Sequence, residues 1–201
     1  MKKWTITILI FTINTLLLFG QNKKINILPL GDVNPNYLDV VKLTIESFYG
    51  CEATIKNKIE FTNDILSPSK TRYDAIKILK KYNSKEITLI ITEKDITCES
   101  NGHLEWGIFG YGNIPGTTCV VSTFRLKRKV TENQMIDRLK KIVIHEIGHN
   151  LGLDHCSYDH HCLMSDANGT IKQVDQEKLW LCDKCQKIIK KEKFFCRIEK
   201  K

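Results

Sequence analysis

Residues 145–155 have the sequence His-Glu-Ile-Gly-His-Asn-Leu-Gly-Leu-Asp-His, which contains the pattern H-E-x-x-H-x-x-G-x-x-H. In a helix, His145 and His149 are one turn apart and lie on the same face, so both imidazoles can reach one ion. Gly152 can adopt the positive φ that turns the chain sharply, which brings His155 back to that ion. The first five residues alone are only suggestive, whereas the extended pattern strongly predicts a catalytic metal site.

The residue types in this pattern indicate hydrolytic chemistry. Three neutral histidines leave a zinc ion its full charge and one open position. Zinc can then polarise a carbonyl group, while Glu146 takes the proton of the attacking water and passes it to the leaving amine. We therefore expect a zinc-dependent peptidase with Glu146 as general base. The alternative is a non-catalytic secreted zinc-binding module, in which Glu146 would have no use as a base.

The eight cysteines fall into two sets. One set lies close to the histidine pattern and comprises Cys156, Cys162, Cys182 and Cys185. The C-x-x-C pair that ends this set is typical of structural zinc sites, so we expect four thiolates around a second ion; two disulfides are the alternative, which export would favour. The other set predicts zero to two disulfides and comprises Cys51, Cys98, Cys119 and Cys196.

Together these motifs resemble the archaemetzincins, a branch of the metzincin metallopeptidases with the motif H-E-x-x-H-x-x-G-x-x-x-C-x4-C-x-M-x17-C-x-x-C. The matching residues are His145, Glu146, His149, Gly152, Cys156, Met164, Cys182 and Cys185. The resemblance implies that His155 is the third ligand of the catalytic zinc and that Met164 is the Met-turn residue, an apolar floor beneath the ligands. One departure is that five residues separate the first two cysteines, so His161 competes with Cys162 as a ligand of the structural zinc.

Upstream of these motifs the sequence predicts an α/β opening. Strands are expected at residues 25–30 and 54–61, and a central strand at residues 87–92. A first helix begins at Asn34 and Pro35 and ends at Gly50, a second carries Tyr73, Ile76, Leu79 and Tyr82 on one face, and a capping box of Thr131 and Gln134 begins the active-site helix. Residues 101–116 are expected to form a loop that leads into a strand at residues 117–123.

The resemblance implies a metzincin-like zincin fold of the α/β (α+β) class. We expect a twisted mixed β-sheet with two backing helices, an active-site helix and a small C-terminal zinc subdomain rich in cysteine. Residues 117–123 would be the edge strand to which an extended peptide adds. The metallopeptidase domain would span residues 21–201, with an N-terminal lobe at 21–152 and a C-terminal lobe at 153–201 that carries the Met-turn and the structural zinc.

Residues 1–20 have the pattern of a cleaved signal peptide, because two lysines precede an apolar run that ends at Gly20. An uncleaved anchor is the alternative. We expect a secreted or periplasmic protein with no stable membrane association after cleavage. The net charge of +8 is scattered apart from Lys187, Lys190, Lys191 and Lys193, a pattern that favours a solvated helix face. We expect a peptide or protein substrate, no nucleic-acid partner, a monomer and two zinc ions per chain.

Overall fold

The computed structural model of the chain describes residues 24–100, 102–167 and 169–191. The expected signal peptide at residues 1–20 and Cys196 lie outside the described residues. Within the described ranges, every helix is too short or too polar to cross a membrane.

The described chain alternates strands and helices in its first half and is mainly helical near its end. The strands are β1 (Lys24–Pro29), β2 (Glu52–Ile55), β3 (Tyr73–Asp74), β4 (Thr88–Thr92), β5 (Ile96–Ser100), β6 (His103–Ile108), β7 (Gly110–Gly112) and β8 (Thr118–Ser122). The helices are α1 (Pro35–Tyr49), α2 (Ala75–Lys81), α3 (Glu132–Asn150), α4 (Ile171–Gln176) and α5 (Asp183–Lys191), with a short 3-10 helix at Asn63–Ile65.

The main sheet has five strands in the order β2-β1-β4-β8-β7. The first four strands are parallel, and β7 runs antiparallel to β8. All five residues of β4 are buried, as expected for the predicted central strand. A second sheet has the order β3-β5-β6. The sequence prediction of a mixed sheet with a separate active-site helix is therefore confirmed.

The two faces of the main sheet are covered by different elements. Successive side chains of a strand point to opposite faces, so Leu89 and Ile91 of β4 pack with α1 and α3 while Ile90 packs with α2 and the second sheet. The two backing helices α1 and α2 thus lie on opposite faces, and α3 shares its face with α1. Each fully buried aliphatic side chain stabilises this arrangement by about 1.5–3 kcal/mol relative to exposure.

Local signals at the helix ends are confirmed. The Asn34 side chain accepts a hydrogen bond from Asn36 N at 2.9 Å, Pro35 is the first residue of α1, and Gly50 ends the helix at φ +60°. At the start of α3, Thr131 and Gln134 form the predicted capping box in both directions. These features depend on residues close in sequence, which is why the pattern alone could predict them.

The predicted edge strand is wrong. This segment contains β8 (Thr118–Ser122), which lies between β4 and β7, so β7 is the edge strand on this side of the sheet. The expected loop at residues 101–116 in fact contains β6 and β7. The sequence did not indicate β7, because this strand is three residues long and contains two glycines, which are depleted in strands. Its strand conformation is stabilised by pairing with β8.

Two further boundaries differ from the prediction. The strand expected at residues 54–61 ends at Ile55, and afterwards only Ile59 bridges to Leu30. The second helix begins at Ala75 rather than Tyr73, because the Asp74 side chain caps it by accepting from Lys77 N at 3.1 Å.

Candidate metal centres and cleft

The helix α3 positions the first two histidines and the carboxylate between them. Its C-terminal half is buried, including His145, Glu146 and His149. The rings of His145 and His149 are 4.6 Å apart between centroids, as expected for side chains one helical turn apart.

The chain after α3 returns the third histidine to the other two. Gly152 has φ +86°, and a Cβ atom built there would meet nothing within 4 Å, so glycine is needed for its backbone angle rather than for space. The His155 ring then lies 5.4 Å from that of His145 and 5.0 Å from that of His149. One ligand atom from each of the three residues lies within 4.8 Å of the others.

Backbone carbonyls orient the two helical histidines. His145 Nδ1 lies 2.7 Å from the Leu163 carbonyl oxygen, and His149 Nδ1 lies 2.7 Å from that of Leu153. Since a carbonyl only accepts, each Nδ1 must carry the proton, which leaves Nε2 as the nitrogen with a free lone pair. Burial lowers the pKa of His145 to about 3 and also lowers that of His149. Neutral imidazoles oriented in this way fit a zinc ion.

The third histidine has a different neighbour. His155 Nδ1 lies 3.6 Å from Asp166 Oδ2, longer than a hydrogen bond but within ion-pair distance. Both side chains are about half exposed, at 48% and 52% of their surface. His155 is therefore the most accessible member of the group.

Glu146 lies in the same cleft as the histidines. The cleft has a volume of about 330 Å³ and is lined by Gly110, Tyr111, Gly112, Asn113, Ile114, His145, Glu146, His149 and His155. Burial disfavours the charged carboxylate and raises the pKa of Glu146 to about 8. A bound cation would act in the opposite direction and favour the charged form.

Met164 lies beneath the active-site helix, as the resemblance implied. It is fully buried, and its Sδ atom lies 2.7 Å from the position that a Cβ of Gly148 would occupy. The missing side chain at Gly148 thus makes room for the Met164 thioether against α3. The Met164 carbonyl also accepts a hydrogen bond from Cys156 N at 2.6 Å.

The four crowded cysteines form a second group of metal-binding atoms. Their Sγ atoms all lie within 4.8 Å of one another, with 3.6 Å between Cys156 and Cys182 and 3.9 Å between Cys162 and Cys185. These distances are far longer than the 2.05 Å of a disulfide bond, so the disulfide alternative is not formed. A closed set of four thiols fits a structural zinc ion.

The competition between His161 and Cys162 is resolved by their positions. Cys162 is buried in the cysteine cluster and its Sγ accepts from Cys182 N at 3.4 Å, whereas the exposed His161 ring lies against the Gln176 carbonyl. The hydrogen bond between the Cys162 and Cys185 sulfur atoms, 3.9 Å apart, lowers the pKa of Cys162 to about 5. A thiolate is therefore favoured at Cys162.

Of the dispersed cysteines, the three that the structure describes form no disulfide with one another. Cys51, Cys98 and Cys119 are all free thiols in the described part of the chain, and Cys98 and Cys119 are buried.

Several residues of the site were not found by sequence reasoning. Gly110, Gly112, Asn113 and Ile114 line the cleft, and the structure also brings Asp166 to His155. Tyr111 also lines the cleft. The alternation Gly-Tyr-Gly was the available signal, because it leaves one face of a strand without side chains.

Comparison with known proteins gives a consistent result. The model of peptidase family M54 matches residues 57–191. The archaemetzincin of Methanocaldococcus jannaschii is 33% identical over 171 residues, which cover 82% of this chain and 91% of the relative. The archaemetzincin of Halobacterium salinarum is 27% identical over 177 residues, which cover 83% of this chain and 99% of the relative.

Solved structures agree with these relatives. The archaemetzincin from Archaeoglobus fulgidus superposes with a TM-score of 0.72 at 29% identity and covers 82% of this chain and 99% of its own. The archaemetzincin from Methanopyrus kandleri shares the fold with a TM-score of 0.71 at 24% identity, covering 88% and 98% of the two chains. The chain therefore belongs to peptidase family M54, the archaemetzincin family, and is a zinc metallopeptidase.

Proposed function

We propose that the chain hydrolyses peptide bonds with a catalytic zinc ion bound by His145, His149 and His155 and with Glu146 as general base. The observation that carries this proposal is the convergence of three imidazoles and one buried carboxylate in a single cleft. A non-catalytic zinc-binding module would have no use for a buried carboxylate at this position, and membership of a peptidase family gives that alternative no support.

The free edge of β7 would bind the substrate backbone. The Ser122 N–H donates to the Phe109 carbonyl, so in this antiparallel pair Phe109 and Tyr111 direct their backbone groups toward β8. The N–H and C=O groups of Gly110 and Gly112 consequently point away from β8. An extended peptide can add there as a further strand, and the glycines allow it to approach closely.

The residues of the cleft would have different roles in hydrolysis. Bound zinc supplies Lewis-acid polarisation of the scissile carbonyl. The Glu146 carboxylate takes the proton of the attacking water and then delivers it to the departing amine. The carbonyls of Leu163 and Leu153 keep His145 and His149 in the tautomer that leaves Nε2 free for the metal.

A second, structural zinc ion would be bound by Cys156, Cys162, Cys182 and Cys185. Two zinc ions per chain are therefore expected, and metal analysis paired with a thiol count tests this number. One zinc ion and four oxidised cysteines would contradict the second site.

We further propose that residues 1–20 are removed during export to a secreted or periplasmic location. The mature chain would be a monomer with lobes at residues 21–152 and 153–201. N-terminal sequencing of the processed protein should begin at Gln21, and a chain that retains Met1 would contradict cleavage.

The decisive experiment is the substitution Glu146→Gln. It keeps the size of the side chain but removes the base, so peptide turnover should fall by about 10³-fold. Zinc content should remain at the wild-type level, because Glu146 is not a ligand in the proposed arrangement. Both quantities can be followed with a fluorogenic peptide library and metal analysis.

Glu132→Gln is the matched control, because Glu132 is exposed at the first position of the same helix. It should leave turnover unchanged. A zinc-loaded wild type that cleaves no peptide, or a Glu146→Gln variant as active as the control, would contradict the proposed function.

A further inference from the structure

We propose that Gly110 is a positioning residue for Glu146: the missing side chain at position 110 sets where the general base lies in the cleft. The inference rests on the proposed role of Glu146 and extends it to the strand that would bind the substrate. Strand β7 would then have two roles: its backbone groups bind the substrate, and its glycine restrains the Glu146 side chain.

The contact between Gly110 and Glu146 is close. A Cβ atom built on Gly110 would lie 2.6 Å from both Cγ and Oε1 of Glu146 and 2.8 Å from its Cδ. Such distances are shorter than real Cβ atoms show, so a methyl group at position 110 would displace the carboxylate. Glu146 lines the cleft of about 330 Å³, so the displaced carboxylate would move into the space beside the three histidines.

The two glycines of β7 contact different parts of Glu146. Both lie on the face of the strand toward α3, whereas Tyr111 points to the other face and packs with the core beside α2. A Cβ on Gly112 would lie 2.8 Å from the Glu146 backbone oxygen, 3.2 Å from His149 Cβ and 3.3 Å from Glu146 Oε2. Gly112 therefore mainly limits how closely the helix approaches the strand, while Gly110 makes the closer contact with the Glu146 side chain.

Packing, rather than hydrogen bonding, holds the carboxylate. His145 and His149 each contact a carbonyl oxygen at 2.7 Å. In contrast, no side-chain hydrogen bond or ion pair to Glu146 is formed within residues 24–100, 102–167 and 169–191. The shape of the cavity under Gly110 is thus the main restraint on the position of the base.

This restraint matters because proton transfer depends on short distances. A general base must lie within about 2.6–3.2 Å of the proton donor, and a misplacement of about 1 Å can cost on the order of 10²-fold in rate. The Gly110→Ala variant should therefore lose about 100-fold in kcat. KM should change little, since the backbone groups of position 110 remain.

A double-mutant cycle with Glu146→Ala tests the proposal. Alanine at position 146 lacks Cγ, Cδ and Oε1, the atoms that the new methyl group would strike, so the steric effect of G110A should disappear in the E146A background. The thermal midpoint measures this coupling, because E146A has no base with which to measure kcat. G110A should lower the thermal midpoint by about 5 °C with Glu146 present and by less than about 2 °C in the E146A background.

Gly112→Ala is the matched control. The closest contact of its methyl group would be a backbone oxygen, which Glu146→Ala leaves in place, so most of its effect on the thermal midpoint should persist in both backgrounds. Zinc content of G110A should equal that of the wild type, which separates misplacement of the base from loss of the metal.

The thermal midpoint and kcat together distinguish failure of this proposal from failure of the proposed function. Additive effects of G110A and E146A on the thermal midpoint, or wild-type kcat in G110A, would overturn the positioning role of Gly110. Coupled thermal midpoints in a zinc-loaded protein that cleaves no peptide would support the steric role and overturn the proposed function instead.

Discussion

The two groups of metal-binding side chains begin at adjacent residues, His155 and Cys156, but they differ in access to solvent. In the histidine group, the His155 side chain is 48% exposed and the cleft beside it is open. In the cysteine group, Cys162, Cys182 and Cys185 are buried. Neighbouring side chains of an extended segment point to opposite sides, which allows one short segment to contribute to both groups.

The histidine group depends on the cysteine group for the position of one of its histidines. The carbonyl that orients His145 belongs to Leu163, and Leu163 lies between Cys162 and the buried Met164. The closed cysteine group thus fixes a segment that the open histidine group needs. Open sites react with substrate, whereas closed sites contribute to folding, so damage to the cysteine group should spread to the histidines while the reverse should not.

The largest effect is expected for Cys185→Ser. Loss of one buried thiol should release the zinc ion proposed for the cysteine group and lower the free energy of unfolding by several kcal/mol, because metal binding and folding are coupled in such sites. Thermal unfolding and metal analysis measure both changes. Cys51→Ser, at a free cysteine remote from the cluster, is the control and should change neither. A C185S variant with two zinc ions and a wild-type thermal midpoint would break the proposed dependence.

An intermediate effect is expected for Arg138→Met, which removes the ion pair between Arg138 of α3 and Asp175 of α4. The buried Arg138 guanidinium donates to both carboxylate oxygens of Asp175 at 2.7 Å and to the Leu126 carbonyl at 3.0 Å. Asp175 is 46% exposed, so solvent screening reduces the value of the ion pair, and most of the cost comes from the buried carbonyl left without a donor. We expect a loss of about 2 kcal/mol in the free energy of unfolding. Denaturant titration measures it, with the exposed Arg128→Met as control.

The same pair predicts a pH dependence. The hydrogen bond from Arg138 lowers the pKa of Asp175 below its ordinary 3.8. A lowered folded-state pKa stabilises the fold above the unfolded-state value and loses this contribution as pH falls through the folded-state value. The stability difference between wild type and R138M should therefore be constant near neutrality and shrink below about pH 3.8. An unchanged difference at low pH would contradict this role of Asp175.

The smallest effect is expected for Asp166→Asn, which should affect the histidine group alone. Removing the charge beside His155 Nδ1 weakens the orientation of that ring, so zinc affinity should fall about 10-fold, or about 1.4 kcal/mol. Competition with a chelator measures the affinity, and Asp39→Asn on the exposed side of α1 controls for the charge change. Equal loss of both zinc ions would show that the two groups are less separate than proposed.

Much of the histidine site could be predicted from sequence because its geometry is local. The separation of His145 and His149 follows from the helical repeat, and the return of His155 follows from a glycine at positive φ. The capping residues Asn34 and Thr131 marked helix starts for the same reason. The buried run at β4 predicted a central strand, because such strands have both faces covered.

The cysteine site was only partly predictable. Spacing indicated four ligands and left His161 and Cys162 as alternatives, since an irregular loop has no fixed repeat from which the direction of a side chain follows. In the folded chain the Cys162 thiol lies beside Cys182 and Cys185, and His161 faces Gln176. Contacts between residues far apart in sequence therefore determine that Cys162, and not His161, lies in the cysteine group.

By itself, the sequence determined which three histidines come together, the helix that carries two of them and the turn at Gly152, because each depends on residues within a few positions of one another. Only the tertiary structure decided that β7 rather than β8 is the edge strand, that Gly110 lies against Glu146 and that Cys162 joins the cluster. Strand order and packing depend on which segments far apart in sequence bury their apolar surfaces against one another. A short-range sequence repeat carries no information about such long-range contacts.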